Sequence, residues 1–186
     1  MLGIEKEDYD LLLLQLKRSI GKKESSGQSK VEKAFGWGFS VKIPGSFQTA
    51  EEDQAEKIFW TKDRPPIVFL TENKRAGITF QILSDQTEKT LSQWRRRLRG
   101  LLEGMDGRTV FYESGVIGQE ISGLWLEYKS FVGREGVYNL WFFFTAKKKD
   151  ILGTFFCPFA EYDQWKEEIL ELFDTLKKEG GEDERV

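Results

Sequence analysis

The chain has 186 residues, of which 39% are apolar, 32% charged and 14% aromatic, with a formal net charge of −3. These values describe one globular domain with an aromatic-rich core, and they exclude the general attraction to nucleic acid or anionic lipid that a basic surface provides. Histidine is absent and cysteine occurs once, which removes the commonest general base and metal ligand and excludes any intramolecular disulfide.

In chain order, the first element expected is an amphipathic helix over residues 1–20, with Tyr9, Leu13, Leu16 and Ile20 spaced four, three and four apart along one stripe. Gly21 stands where a helix ends, and residues 21–33 are polar and rich in Ser and Lys, so they read as a linker. From Ala34 the period changes to two, with Phe35, Trp37, Phe39, Val41 and Ile43 alternating up to Pro44, and this predicts the first strand. Further strands are expected over 57–61, 67–71, 77–83, 109–115, 123–132, 137–146 and 151–157, separated by turn residues. Two more helices are expected over 88–104 and 159–178, the first with Leu91, Trp94, Leu98 and Leu102 on one face, the second with Tyr162, Trp165, Ile169, Leu172 and Leu176. Residues 179–186 read as an acidic, fraying tail.

The segment 137–146 is apolar on both sides of a strand, with Tyr138, Leu140, Phe142 and Phe144 on one face and Val137, Trp141 and Phe143 on the other. Such a strand is covered twice, whereas 123–132 pairs an apolar face with a mixed one of Trp125, Glu127 and Lys129. The expected fold is therefore α+β, a large, mostly antiparallel sheet with helices on both faces. The longest apolar clusters, 11–14 and 140–144, fall far short of the about 20 residues of a membrane helix, and no basic, apolar and cleavable leader opens the chain, so a cytoplasmic location is expected.

Leu-Trp-Leu-Glu-Tyr at 124–128, the aromatic strand after it, Gly-Thr-Phe-Phe-Cys at 153–157, then Tyr162, Trp165 and a closing helix carry a family resemblance. With Gly-Phe-Ser-Val-Lys-Ile-Pro at 38–44, this pattern resembles the PsbP/Mog-like sandwich of the DcrB type over 34–178. The resemblance implies an antiparallel sheet flanked by helices in a mostly non-catalytic family of accessory subunits, partner binders and chaperones or adaptors, with no catalytic residue to carry over. The chain departs from the lipoprotein-like members in lacking an export signal and lipobox cysteine and in its extra N-terminal helix and linker, which favours a cytoplasmic adaptor.

No catalytic, cofactor-binding or metal-binding set stands out. Arg95 and Arg99 lie one helical turn apart in the run Arg95-Arg96-Arg97-Leu98-Arg99 and could dock an acidic partner or phosphate, although a solvated helix face is the plainer reading. Lys147-Lys148-Lys149 reads as a tight hairpin, and Trp125, Phe131, Trp141 and Phe143 as core rather than a base-stacking platform. The pairs Glu51-Glu52-Asp53 and Glu167-Glu168 adjoin in sequence instead of converging, Cys157 reads as a buried hydrophobe, and Gly36-Trp37-Gly38 lacks the spacing of a dinucleotide loop and reads as strand entry. The favoured function is a non-enzymatic protein-interaction module without cofactor or metal. Its partner is a hydrophobic or acidic segment of another protein, or a second copy, with Tyr9, Leu13, Leu16, Arg95 and Arg99 as candidate contacts. The alternative is a non-catalytic apolar-ligand domain with a pocket of Trp60, Phe80 and Trp141.

Overall fold

A computed structural model describes residues 30–59, 64–84, 90–118 and 120–179. Ten strands are described: β1 (Lys30–Ala34), β2 (Phe39–Pro44), β3 (Phe47–Thr49), β4 (Ile67–Thr71), β5 (Gly77–Ser84), β6 (Val110–Ile117), β7 (Gly123–Val132), β8 (Glu135–Ala146), β9 (Lys149–Pro158) and β10 (Lys177–Lys178). Three α-helices join them, α1 (Glu52–Ile58), α2 (Leu91–Met105) and α3 (Tyr162–Phe173), the last entered through a 3-10 turn over Phe159–Glu161.

Seven strands form one antiparallel sheet in the order β3-β4-β5-β9-β8-β7-β6, and a second antiparallel sheet has the order β1-β2-β10. The hairpins fix the register of the large sheet. β7 and β8 close through a two-residue turn with Gly133 at φ +63°, while β8 and β9 close through Lys147 and Lys148, both at positive φ. Positive φ at both centres matches the twist of the flanking strands, so the lysine run is the hairpin turn expected of it.

The doubly apolar strand β8 lies inside the large sheet, and its two faces enter different cores. Tyr138, Leu140, Phe142 and Phe144 join a cluster with Phe39, Val41 and Ile43 of β2 and with Ile169, Leu172 and Phe173 of α3. Phe143 joins Leu126, Tyr128 and Leu152 beneath Leu91, Trp94, Leu98 and Leu102 of α2. A third cluster packs Ala55 of α1 on Val68, Leu70 and Phe156. In strand alternation Phe156 shares the side of Leu152, so α1 and α2 cover one face of the large sheet while α3 and the small sheet cover the other.

Several expected boundaries are corrected. The period-two run from Ala34 is a hairpin rather than one strand, because the chain reverses at Phe35–Gly38 with Gly36 at φ +70° and Gly38 at φ +91°. Its first arm begins at Lys30, so residues 30–33 belong to β1 and not to the linker. Lys57 and Ile58, expected to open a strand over 57–61, instead complete α1, whose Ala55 is buried and whose first turn carries Glu52 and Asp53. The helix expected from residue 88 begins at Leu91, where Thr90 and Gln93 make reciprocal capping hydrogen bonds. The last helix stops at Phe173. There Thr175 donates its hydroxyl to the Leu172 carbonyl and accepts the Lys42 amide of β2, which draws the chain into the small sheet as β10. Glu179, expected to open the tail, is fixed against the β1–β2 connection. The expected helix over 1–20, the remainder of the linker and residues 180–186 lie outside the described residues.

Candidate protein-interaction site

The capping box that starts α2 also sets the helix phase. Leu91, Trp94, Leu98 and Leu102 face the sheet, and Trp94 Nε1 donates to the buried Asp150 carboxylate at 2.9 Å. With that face fixed, Arg95, Arg96 and Arg99 line a groove of about 250 Å³ between α2 and the edge strand β6, together with Ser92, Phe111 and Ser114. Arg99 donates to Glu103 at 3.0 Å and lays its guanidinium 4.3 Å above the Phe111 ring. Arg97 turns away and sits 5.8 Å over Trp94. Arg95 is half-buried, Arg96 is exposed, and among the described residues neither has a carboxylate partner.

The groove opens where β6 is irregular. Its register slips between Phe111 and Ser114, so that two residues bulge opposite Glu127 of β7. A bulge frees backbone groups from the ladder, and the Glu113 amide donates to Glu127 Oε1 at 3.2 Å. Glu127, which also lines the groove, is buried, as is its cation Lys166 of α3. Lys166 Nζ lies 2.9 Å from Glu127 and 3.0 Å from Glu113, and Tyr138 Oη donates to the other Glu127 oxygen at 2.5 Å. Burial, reinforced by the Glu127 charge, holds the Tyr138 phenol far above its ordinary range. Both oxygens of Glu127 are occupied, so the cluster ties β6, β7, β8 and α3 together.

Of the residues singled out in the sequence, Arg95 and Arg99 share one groove, and Tyr9, Leu13 and Leu16 lie outside the described residues. The face of β7 expected to be mixed is covered, with Trp125 packed against the core and Glu127 neutralised there. Lys166 was overlooked although it falls four residues after Tyr162 and three before Ile169, on the buried stripe itself. The pocket imagined from Trp60, Phe80 and Trp141 does not form as such. Phe80 belongs to the β2–α3 side and Trp141 to the α2 side, while Trp60 lies outside the described residues. A cleft of about 570 Å³ exists elsewhere, with Phe35, Ala50, Ala55, Pro66 and Phe69 in its wall and Lys33 and Arg64 among its polar groups. Arg64 is itself paired with Glu52 at 2.6 Å and Glu56 at 2.9 Å. Cys157 is buried and its thiol is pushed up, mainly by loss of water. Among the described residues no group of three or more His, Cys, Asp or Glu side chains could hold a metal, and no helix is long and apolar enough to cross a membrane.

No family model and no curated protein matches the sequence. Among solved structures, the cyanobacterial PsbP (CyanoP) of Synechocystis sp. PCC 6803 superposes with a TM-score of 0.59 at 14% identity, over 87% of this chain and 99% of that one. The chain has a PsbP-like fold. PA94 of Pseudomonas aeruginosa, a protein of unknown function described as a candidate regulator, superposes with a TM-score of 0.51 at 10% identity, over 83% of this chain and 100% of that one. At these identities the likeness is one of fold. The PsbP-like architecture agrees with the resemblance to the PsbP/Mog-like sandwich read from 34–178, while the small β1-β2-β10 sheet was not predicted by the sequence pattern.

Proposed function

We propose that this PsbP-like chain is a non-enzymatic interaction module that takes an acidic segment of a partner protein into the groove between α2 and β6. The observation that carries the reading is the pair Arg95 and Arg96, which line a ready-formed groove without a carboxylate of their own among the described residues. Guanidinium groups match carboxylates in fork geometry, and Ser92, Ser114 and the Phe111 ring supply hydrogen-bonding and apolar contact alongside. A DcrB-type assignment within the PsbP/Mog-like sandwiches and a cytoplasmic adaptor role belong to the same reading, supported by the motifs at 38–44 and 124–128 and by a single thiol that is buried.

The test is fluorescence anisotropy with a labelled glutamate-rich peptide. Binding is expected to weaken steeply with added salt and to vanish in Arg95→Glu/Arg96→Glu, with the circular dichroism and melting temperature of the variant unchanged. Peptide binding that survives the double charge reversal would refute the site.

A second reading, a non-catalytic site for a small apolar ligand, is favoured by the cleft of about 570 Å³ beside Phe35 and Pro66, a size in the range of small-molecule sites. Ligand binding there would be indifferent to Arg95 and Arg96 and sensitive to Phe35→Ala.

A further inference from the structure

Glu179 is an acidic residue at the end of the described chain, yet its carboxylate is drawn in and only 17% exposed. Oε1 accepts the backbone N–H groups of Phe35 at 3.1 Å and Gly36 at 3.0 Å, and Oε2 accepts that of Gly38 at 3.2 Å. Three amides converge because Gly36 and Gly38 both adopt positive φ, which turns neighbouring N–H groups toward one point and forms an anion-binding nest. Lys147 closes the nest from the β8–β9 turn. Its stem lies so close to Gly38 that a Cβ there would come within 2.4 Å of Lys147 Cγ, and its ammonium stands 3.8 Å from Glu179 Oε2.

We infer that the β1–β2 connection is a binding site for a small oxyanion, a carboxylate or a phosphate, and that Glu179 holds it closed from within the same chain. The donors recognise charge and paired oxygens rather than a glutamate as such, so a free anion of the same shape meets the same three amides and the same ammonium. Besides its carboxylate contacts, Glu179 is held by two register pairs between β10 and β2, by its own amide on the Gly38 carbonyl at 3.1 Å and by the neighbouring Lys178 amide on Glu120 Oε1 at 3.2 Å. An incoming anion competes with a tethered carboxylate whose local concentration is high. The wild-type site is thus latent, and removing the carboxylate exposes it.

The experiment follows the backbone amide resonances of Phe35, Gly36 and Gly38 in the full chain while sodium phosphate, or in a parallel series sodium acetate, replaces chloride at constant ionic strength. In Glu179→Ala these three resonances are expected to shift saturably with a millimolar dissociation constant, while the wild type does not saturate over the same range. Adding Lys147→Ala to that variant is expected to weaken the anion further. Saturation by phosphate alone identifies a phosphate site, by acetate alone a carboxylate site, and either supports the inference. It is overturned if Glu179→Ala keeps the wild-type spectrum elsewhere and none of the three amides responds to either anion, or if wild type and variant respond alike. Should Glu179→Ala fold poorly, Glu179→Ser, whose short side chain cannot reach the three amides, is read in the same way.

Discussion

Two residues show how tightly this core is specified. Lys166 is the cation of a buried carboxylate, and Lys166→Met leaves Glu127 with the Tyr138 hydroxyl and the Glu113 amide but no buried cation, for which a loss of about 3–5 kcal/mol is expected. Lys166→Met/Glu127→Gln removes both charges and is expected to recover most of the loss, a comparison read from urea midpoints at constant slope. Gly153 of β9 lies directly across from Phe142 of β8, and a Cβ there would stand 2.0 Å from the Phe142 ring. Gly153→Ala must displace that ring and is expected to cost about 1–3 kcal/mol in the same assay. Glu168 provides the pH dependence. Its carboxyl is raised chiefly by loss of water, with Glu171 adding and Lys30 opposing. The folded state therefore holds the proton more tightly than the unfolded chain. This contribution to stability is full below the ordinary carboxylate range and is lost as the pH rises through the raised folded value. Glu168→Gln is expected to flatten that fall in a melting-temperature series across the acidic range.

At the level of elements, α2 divides into a structural and a recognition part. Thr90→Ala removes one half of the capping box and is expected to cost about 1 kcal/mol, whereas exchange of the exposed Arg96 leaves stability unchanged and alters binding alone. The α2 boundary was legible to within a few residues, because a strong apolar stripe precedes any tertiary contact. The strands β4 and β7 were legible as well, since turn residues bound them on both sides. Other elements depend on partners distant in sequence. The alternation from Phe35 to Ile43 has no internal sign that Gly36 and Gly38 reverse the chain, and β10 forms by pairing with β2, beside the Thr175–Lys42 hydrogen bond, which nothing in Lys177 and Lys178 announces. The arginine groove was half legible: the run of guanidinium groups is plain in the sequence, but the bulge at Glu113 that opens the groove appears only when β6 is laid against β7. Lys166 and Glu127 were individually visible as charges inside apolar patterns, and only packing pairs them.

For the whole molecule, three layers follow from one strand. β8 is apolar on both faces, so the large sheet needs cover on both, and α2 supplies one side while α3 with the small sheet supplies the other. The small sheet makes the N-terminal boundary consequential, because β1 pairs with β2 over five positions and Lys30 bridges Glu171 of α3 at 2.8 Å. A chain beginning at Lys30 is expected to keep the fold, while one beginning at Ala34 leaves β2 with only the two-residue β10 as neighbour and is expected to melt several degrees lower by differential scanning calorimetry.

The central claim is that the groove between α2 and β6 receives an acidic segment of another protein. It is tested most directly by placing a photocrosslinking residue at the exposed groove position 92, which leaves Arg95 and Arg96 in place, and at the exposed position 167 of α3 as a control, in the living source cell and mapping the adducts by mass spectrometry. The account predicts an adduct from position 92 whose crosslinked residue lies in a carboxylate-rich segment, lost in Arg95→Glu/Arg96→Glu, and no such adduct from position 167. No adduct at position 92, or the same partners from both positions, would contradict it.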